Sequence, residues 1–455
     1  MSIRNLRWLP LAGLTLLPAI GHAAMGQIAS NFGLLPQDVA SAQALSMFSN
    51  DPSAAYYNPA YLAKDRKGAL TAGFLYTQQD LTAKDWNTPE QVVQGDVIED
   101  RSNYNILLGM KTDLSQMLKS ERPMVLGMML GAERTGNRLL SFSSSTSQTA
   151  QPLRYGQQSL FLSLGAGLNV VPGFDVGAST RITLAASADL STFTDLSGNT
   201  LYESISVSAK PSIQPILSGN VDWGQLACPG KRGCWLTGLE TALSWRYESA
   251  FDTEANALAV VPNTLPAGLP LMLATIDSYQ PETWTAAMQY NMYKLRLSAG
   301  VDYQLWSGLN DKLKADTVRQ DAGLKFKDVL VPRVGFEYRV NKEFSLIGGV
   351  AYEESPLESN MSPDVNYVDS DRVVMGLGLS WLIRQPMILS QPLRIDLAYQ
   401  YQMLQDRDFR LATTSGAQSG QCGGTKDSLG NDLRCEDVTS GGGVHVVNAS
   451  VNLKF

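Results

Sequence analysis

Two histidines, four cysteines and a scatter of arginines are the residues of this 455-residue chain able to do chemistry. His22 and His445 are too few for a His-based metal site or an acid/base centre. His445 stands between Val444 and Val446 with no Ser-centred motif to partner it. No catalytic residue, metal site or cofactor is therefore expected, and the chain does not read as an enzyme. The cysteines form two local pairs, Cys228 with Cys234 in CPGKRGC and Cys422 with Cys435 in a Gly-rich polar stretch. Four thiolates could hold zinc, but the close Cys-x-x-Cys pairs of zinc modules are missing. In an oxidising compartment both pairs read as disulfides closing small loops, although sequence alone does not fix the connectivity.

The compartment follows from the N-terminus. Arg4 and Arg7 precede the apolar run Trp8 to Ile20 and the small residues Gly21-His22-Ala23-Ala24, the layout of a secretory signal peptide over 1–23. An uncleaved anchor is the alternative, but about 13 apolar residues fall short of the ~20 that span hydrocarbon. No later stretch of 18 apolar residues occurs, so a helical membrane bundle is excluded. Charged residues are 17% against a usual ~25%, which is unlike a typical soluble enzyme. The 36 basic and 43 acidic residues give a net charge of -7, which argues against nucleic acid as a partner.

The elements that position these residues are strands. From residue 68 onward, apolar and polar positions alternate in segments of about ten residues. Leu295, Leu297, Ala299, Val301, Tyr303 and Leu305 share one face, and Arg296, Ser298, Gly300, Asp302 and Gln304 the other. Residues 393–402 and 333–340 repeat the pattern. A soluble sandwich would alternate too. Export without a helical span favours a membrane barrel instead, as do tight links at Val171-Pro172-Gly173, Asn291-Met292 and Asn341-Lys342 interleaved with long polar ones at 78–100, 307–331, 354–370 and 405–442. The chain also stops on a strand with Val447, Ala449, Val451, Leu453 and terminal Phe455 on one face.

The prediction is an all-β fold, an antiparallel transmembrane barrel spanning 68–455, with fourteen strands at 68–77, 101–111, 122–134, 155–169, 173–187, 201–218, 236–250, 283–292, 294–305, 332–341, 343–353, 371–383, 392–404 and 444–455. An even count puts both ends in the periplasm. Trp245, Tyr247, Tyr303, Trp306, Tyr352 and Trp381 suit interfacial girdles. Residues 24–67 do not alternate and are rich in Ala, Ser and small apolar residues. Fourteen strands enclose more space than wall side chains fill, so this segment reads as a plug, or else as a periplasmic tail.

Asp51-Pro52-Ser53-Ala54-Ala55 followed by Asn58-Pro59-Ala60, then Pro281-Glu282-Thr283-Trp284, Asp302-Tyr303-Gln304-Leu305-Trp306-Ser307, Pro332-Arg333-Val334-Gly335-Phe336-Glu337-Tyr338 and Gly349-Val350-Ala351-Tyr352-Glu353-Glu354-Ser355-Pro356 resemble, in order and spacing, the FadL family of outer-membrane transporters for long-chain fatty acids and other hydrophobic compounds. The resemblance implies a fourteen-strand barrel stoppered by an N-terminal hatch, with ligand captured on outer loops and released sideways at a kinked third strand. Pro123, Gly127 and Gly131 in that strand are compatible with a bend or bulge. It also places capture on the fourth outer loop, 252–282, where Leu258, Val260, Val261, Leu265, Leu269, Leu271, Met272, Leu273 and Ile276 offer an apolar surface. A loop packing on its own neighbours is the plainer reading of that stretch.

A carboxylate head group needs cations. Inward faces supply Arg181, Lys210, Arg246, Arg296, Arg333, Arg339 and Arg394, of which Arg246 and Arg333 are the candidates. Acidic neighbours Glu240, Asp302, Glu337 and Asp396 suggest that most belong to a structural lattice. The expected role is passive transport of hydrophobic small molecules by a monomer among outer-membrane lipids, with the direction open. Its rivals are a general porin for polar solutes, an exporter of lipid-derived products and an adhesive barrel with a Gly-rich loop at 415–443.

Overall fold

The computed structural model describes residues 28–85, 101–115, 117–133, 151–152, 160–194, 200–231, 233–261, 265–313, 325–358, 361–362, 367–386, 389–413, 420–426 and 432–455. The expected signal peptide, 1–23, lies outside them. Fourteen strands close into one antiparallel barrel. They are β1 (Ala69–Asp85), β2 (Arg101–Asp113), β3 (Met124–Glu133), β4 (Leu160–Val171), β5 (Phe174–Thr194), β6 (Thr200–Asp222), β7 (Leu239–Arg246), β8 (Glu282–Asn291), β9 (Leu295–Leu305), β10 (Val329–Arg339), β11 (Phe344–Glu353), β12 (Arg372–Ile383), β13 (Leu393–Thr413) and β14 (Asp432–Lys454). β14 closes on β1, from Lys454 opposite Ala69 to Val438 opposite Asp85, so no edge is left to aggregate. Every expected segment corresponds to one of these strands. β1, β5, β13 and β14 run farther at the long-loop end than the alternation alone indicated, and β6 runs four residues farther at its short-turn end.

Period two has the inverse meaning of a soluble core. On β9, Arg296, Ser298, Asp302 and Gln304 are buried inside, while Leu297 and Tyr303 stand outside. Around the wall many large apolar side chains are exposed, Leu377 at 66% and Leu330 at 56% among them. Such a band on the outside of a closed barrel is a surface for hydrocarbon. Tyr247, Tyr303, Tyr352 and Trp381 are exposed on it, as girdle residues should be. Trp306 is not: it is buried, stacked on Phe326 at 6.5 Å, and donates Nε1–H to Gln304 Oε1 at 2.8 Å. β9 has ended at Leu305 and the chain turns toward the helix Gly308–Leu313, so the strand alternation no longer applies there.

Two expectations are corrected. The fourth outer connection is not a loop. Ser249–Val261 and Leu265–Gln280 form a hairpin, with Leu258 opposite Pro270, Ala257 opposite Leu271 and Val261 opposite Leu265. Short apolar runs carry no period that separates strand from loop, which is why the sequence hid it. The third strand carries no bulge either. β3 pairs without interruption with β2 (Gly131 opposite Leu107, Gly127 opposite Lys111) and with β4 (Gly131 opposite Phe161, Gly127 opposite Gly165). Its glycines are needed for space: a Cβ at Gly127 would press on Leu62 and one at Gly131 on the Phe161 ring. Pro123 precedes the strand, where its carbonyl accepts from Asn169 N–H at 3.0 Å.

Candidate functional site

The N-terminal segment fills the lumen. Its helices Ile28–Asn31, Pro36–Ala40 and Ala54–Tyr57 and the 3-10 turns Ser46–Phe48 and Pro59–Lys64 are short, because Gly33, the Ala42-Gln43 turn and the Pro-containing pairs interrupt every run. Short helices leave many backbone carbonyls without intrahelical donors, and the wall supplies them. Ser298 Oγ donates to Ala44 O at 2.7 Å, Arg296 to Phe48 O at 3.2 Å, Gln402 to Asn31 O at 2.7 Å, Asn448 to Leu34 O at 2.9 Å and Lys111 to Asn50 O at 2.8 Å. Asp51 is paired with Arg394 at 2.5 Å and accepts from Asn452 at 3.1 Å, while Asn58 Nδ2 donates to Met47 O at 2.6 Å. Pro59 and Ala60 lie against β4 and β5, where a Cβ at Gly177 would overlap the Ala60 backbone. On the far wall, a Cβ at Gly349 would overlap Ser41. Glycines inside the wall thus admit the plug backbone at two opposite places.

The arginines sort by neighbourhood. Arg333 is buried between Asp302 (3.0 Å) and Glu353 (2.8 Å) and donates to Ala42 O at 3.0 Å. Glu353 in turn binds Arg372. Arg296 pairs with Glu337 at 2.8 Å, and Arg394 with Asp396 at 2.8 Å. Arg333 is therefore part of the lattice that holds the plug. Arg246 is placed differently, donating to Thr285 Oγ1 at 3.1 Å and lying 5.4 Å from the Tyr56 ring. With Tyr56, Tyr57, Tyr279, Gln280 and Trp306 it lines a cavity of about 20 Å³, room for one water. Arg339 is exposed at the short-turn end, and the Lys210 side chain is outside those described. There a wide recess of about 920 Å³ lies between the plug and the turns, lined by Gln37, Lys67, Arg339, Arg394 and Lys454.

An apolar band meets the plug on one side. Leu75, Leu107, Met129, Phe161, Val444 and Val446 point inward and are buried against a cluster that includes Phe32, Leu34 and Leu35. Sequence reasoning did not single these out, although a signal exists: Leu107-Leu108, Met128-Met129 and Val446-Val447 are doublets that put an apolar residue on an otherwise polar face. The register of the outer hairpin puts Leu269, Leu271 and Leu273 on the same face as Ala259, Ala257 and Ala255. Leu258, Met272 and Ile276 fall on the other face with Asn256 and Asp252. His445 is on the outside of the wall, 2.7 Å from Tyr399 Oη and 3.6 Å from Asp80. Among the described residues no group of His, Cys, Asp and Glu forms a metal site. Cys228 and Cys234 form a disulfide of 2.08 Å, and the side chains of Cys422 and Cys435 lie outside those described.

Two plug carboxylates give a pH prediction. Burial pushes Asp38 up to about 6 although Ser46 Oγ and Leu35 N–H donate to it. Burial also raises Asp51, but Arg394, Lys454 and Lys111 together outweigh it and leave that carboxyl below its usual range. Asp38 holds its proton more tightly when docked than when free, so its contribution is complete below about pH 4 and fades as pH rises toward 6, a difference of roughly 3 kcal/mol. Asp51 has the opposite sign and weakens docking as pH falls below about 4. Protease protection of the plug should therefore peak near pH 4 to 5 in the native chain. In Asp38→Asn the decline above that peak should disappear while the acid limb stays; an alkaline limb surviving in Asp38→Asn would refute the assignment.

The family described as outer membrane protein transport protein (OMPP1/FadL/TodX) matches residues 241–451. Alkane uptake protein A of Marinobacter nauticus is 40% identical over 440 residues, which cover 95% of this chain and 92% of that protein. Among solved structures, a Pseudomonas aeruginosa FadL homologue has a TM-score of 0.58 at 14% identity, covering 92% of this chain and 98% of that one. The CymD monoaromatic hydrocarbon channel has a TM-score of 0.50 at 12% identity, covering 93% and 98%. At these identities the two structures attest the fold.

Proposed function

The chain belongs to the OMPP1/FadL/TodX family of outer-membrane transport proteins, and from that premise we propose that it takes up long aliphatic molecules, hydrocarbons first, across the outer membrane. The observation that carries this reading is the 40% identity running along nearly all of Alkane uptake protein A. The apolar band beside the plug supports it, since each methylene buried there contributes about 0.8 kcal/mol and a long chain needs no specific chemistry. The filled lumen argues against a general porin. In this reading the Ala/Leu face of the outer hairpin captures the solute, and Arg246, at the cavity, receives a carboxylate when the solute has one. The protein works as a monomer, down a gradient, with no covalent step and with Cys422 and Cys435 as a second bridge at the outer end.

Uptake of radiolabelled hexadecane by cells with and without the protein tests the reading directly. In Leu269→Ser/Leu271→Ser/Leu273→Ser uptake should fall about tenfold or more, because three apolar contacts are lost together. Equal uptake with and without the native protein would end the proposal.

A further inference from the structure

The connection from β6 to β7, residues 223–238, is the longest at the short-turn end, where barrels ordinarily use tight turns. It does not hang free. Trp223 Nε1–H donates to Thr241 Oγ1 at 3.0 Å, and Tyr290 Oη–H donates to the carbonyl of Trp235 at 3.1 Å. Thr241 alternates with the buried Glu240 and Ala242, and Tyr290 with the buried Gln289, so both are on the lipid side of β7 and β8. The connection is thereby folded back against the outside of the wall. Two residues farther along the same face come Leu243 and Met288, both exposed in the apolar band.

Its composition divides in two. Trp223 and Leu226 of the one-turn helix Trp223–Ala227 are exposed, as is Trp235, at 73%. Indoles suit the boundary between hydrocarbon and headgroups. Between the helix and Trp235, Cys228 and Cys234 close a small loop in which Lys231 is exposed. The loop is preset: Gly230 and Gly233 have left-handed backbones, φ 72° and 81°, and Lys231 N–H donates to Cys228 O at 3.2 Å. The carboxylates at this end of β5, β6 and β7 are engaged elsewhere. Lys64 of the plug holds Asp222 at 2.8 Å and Glu240 at 3.4 Å, and Asp175 accepts from Asn169 and Asn220. Among the described residues no carboxylate pairs with Lys231.

We propose that this disulfide-closed knob is a binding site for the headgroup of an anionic phospholipid in the inner leaflet, with Trp223, Leu226 and Trp235 at the top of the acyl chains and Lys231 on the phosphate. Continuity with the lipid-facing wall selects a lipid over a soluble protein, and the unpaired ammonium selects a headgroup with net negative charge. The site is independent of what passes through the lumen. Asp222, which caps the helix by accepting from Gln225 N–H at 3.1 Å, is also the carboxylate that Lys64 holds, so the bound lipid shares an anchor with the last turn of the plug.

Native mass spectrometry of the detergent-solubilised full chain tests the site, with dioleoylphosphatidylglycerol and dioleoylphosphatidylcholine as competing probes. The native chain should retain phosphatidylglycerol in preference. Lys231→Gln should weaken phosphatidylglycerol binding about fivefold and leave phosphatidylcholine binding unchanged, the effect of one cation near an anionic lipid. Trp223→Ser/Trp235→Ser should weaken both lipids about tenfold, because an apolar contact does not distinguish them. Cys228→Ser/Cys234→Ser should lose the preference severalfold while heat-modified migration on gels, which reports the barrel, stays native. Lys342→Gln, at an exposed lysine in the turn between β10 and β11, should change nothing. A native chain without the preference, or equal losses in Lys231→Gln and Lys342→Gln, overturns the site. Retention of a second copy of the chain in place of lipid, abolished in the tryptophan variant, overturns it too. If the tryptophan variant does not fold, the two lysine variants decide alone.

Discussion

Deleting residues 28–64 is expected to raise single-channel ion conductance in planar bilayers by about tenfold or more, since a wall of fourteen strands is wider than its own side chains can fill. The plug is in contact with nearly the whole inner circumference. It receives bonds from Lys111 of β2, Arg296 and Ser298 of β9, Gln402 of β13 and Asn448 of β14, so its absence leaves a continuous cross-section empty. The exposed inner wall would be wet, because Asp302, Glu353, Asp396, Gln400 and Asn448 are inward and polar. The wall ion pairs Arg333–Glu353 and Arg394–Asp396 do not involve the plug, so the barrel keeps its lattice and should still fold and insert. The deleted form should thus behave as a water-filled pore and lose selectivity for greasy solutes. Conductance unchanged from the native chain would mean that the outer hairpin, not the plug, closes the lumen.

Strand number and the two-faced alternation were legible because both are period-two properties, and segments such as 294–305 keep one face polar and one apolar for their whole length; closure and the lipid-facing side were legible from export without a helical span and from the interleaved short and long links. Legibility failed wherever that contrast vanished. The run Ala257 to Val261 is apolar on both faces, so its pairing with Leu265–Leu271 left no trace in the pattern. Trp306 sits one residue past a strand end and was placed on the wrong side. Arg333 and Arg246 look alike in sequence; three-dimensional neighbours alone divide them, one between two carboxylates and the other beside a tyrosine ring at the cavity. The glycines of β3 suggested a kink, yet a small inward residue serves close approach of a second layer just as well.

Arg333→Met should loosen the plug by about 3 to 5 kcal/mol while leaving the barrel assembled, the usual effect of removing one partner from a buried ion pair. Glu353 keeps Arg372, so the wall side of the network survives. Asp302 does not fare as well: it retains Thr285 at 2.6 Å, but its nearest remaining cation is Arg246 at 4.0 Å. The plug loses more. Arg333 donates to the carbonyl of Ala42, and Ala42 and Gln43 both have left-handed backbones, φ 48° and 67°, a conformation costing about 1 kcal/mol or more per non-glycine residue. That turn persists because it is held from outside, by Arg333 at Ala42 and by Gln43 Nε2 bonding back to Ser30 O at 2.8 Å. Without the guanidinium the turn can relax, and the helix Pro36–Ala40 next to it loses its seat on β12 and β13. Heat-modified migration on gels, which reports the barrel, should be nearly unchanged, whereas protease cleavage within 28–64 and bursts of ion conductance should increase at least about tenfold. Arg333→Lys should be intermediate, since a single ammonium cannot reach Asp302, Glu353 and Ala42 O with a planar fork. A methionine variant whose plug is as protected as the native one would show that the strained turn is held by packing, and that the buried charges serve the wall alone.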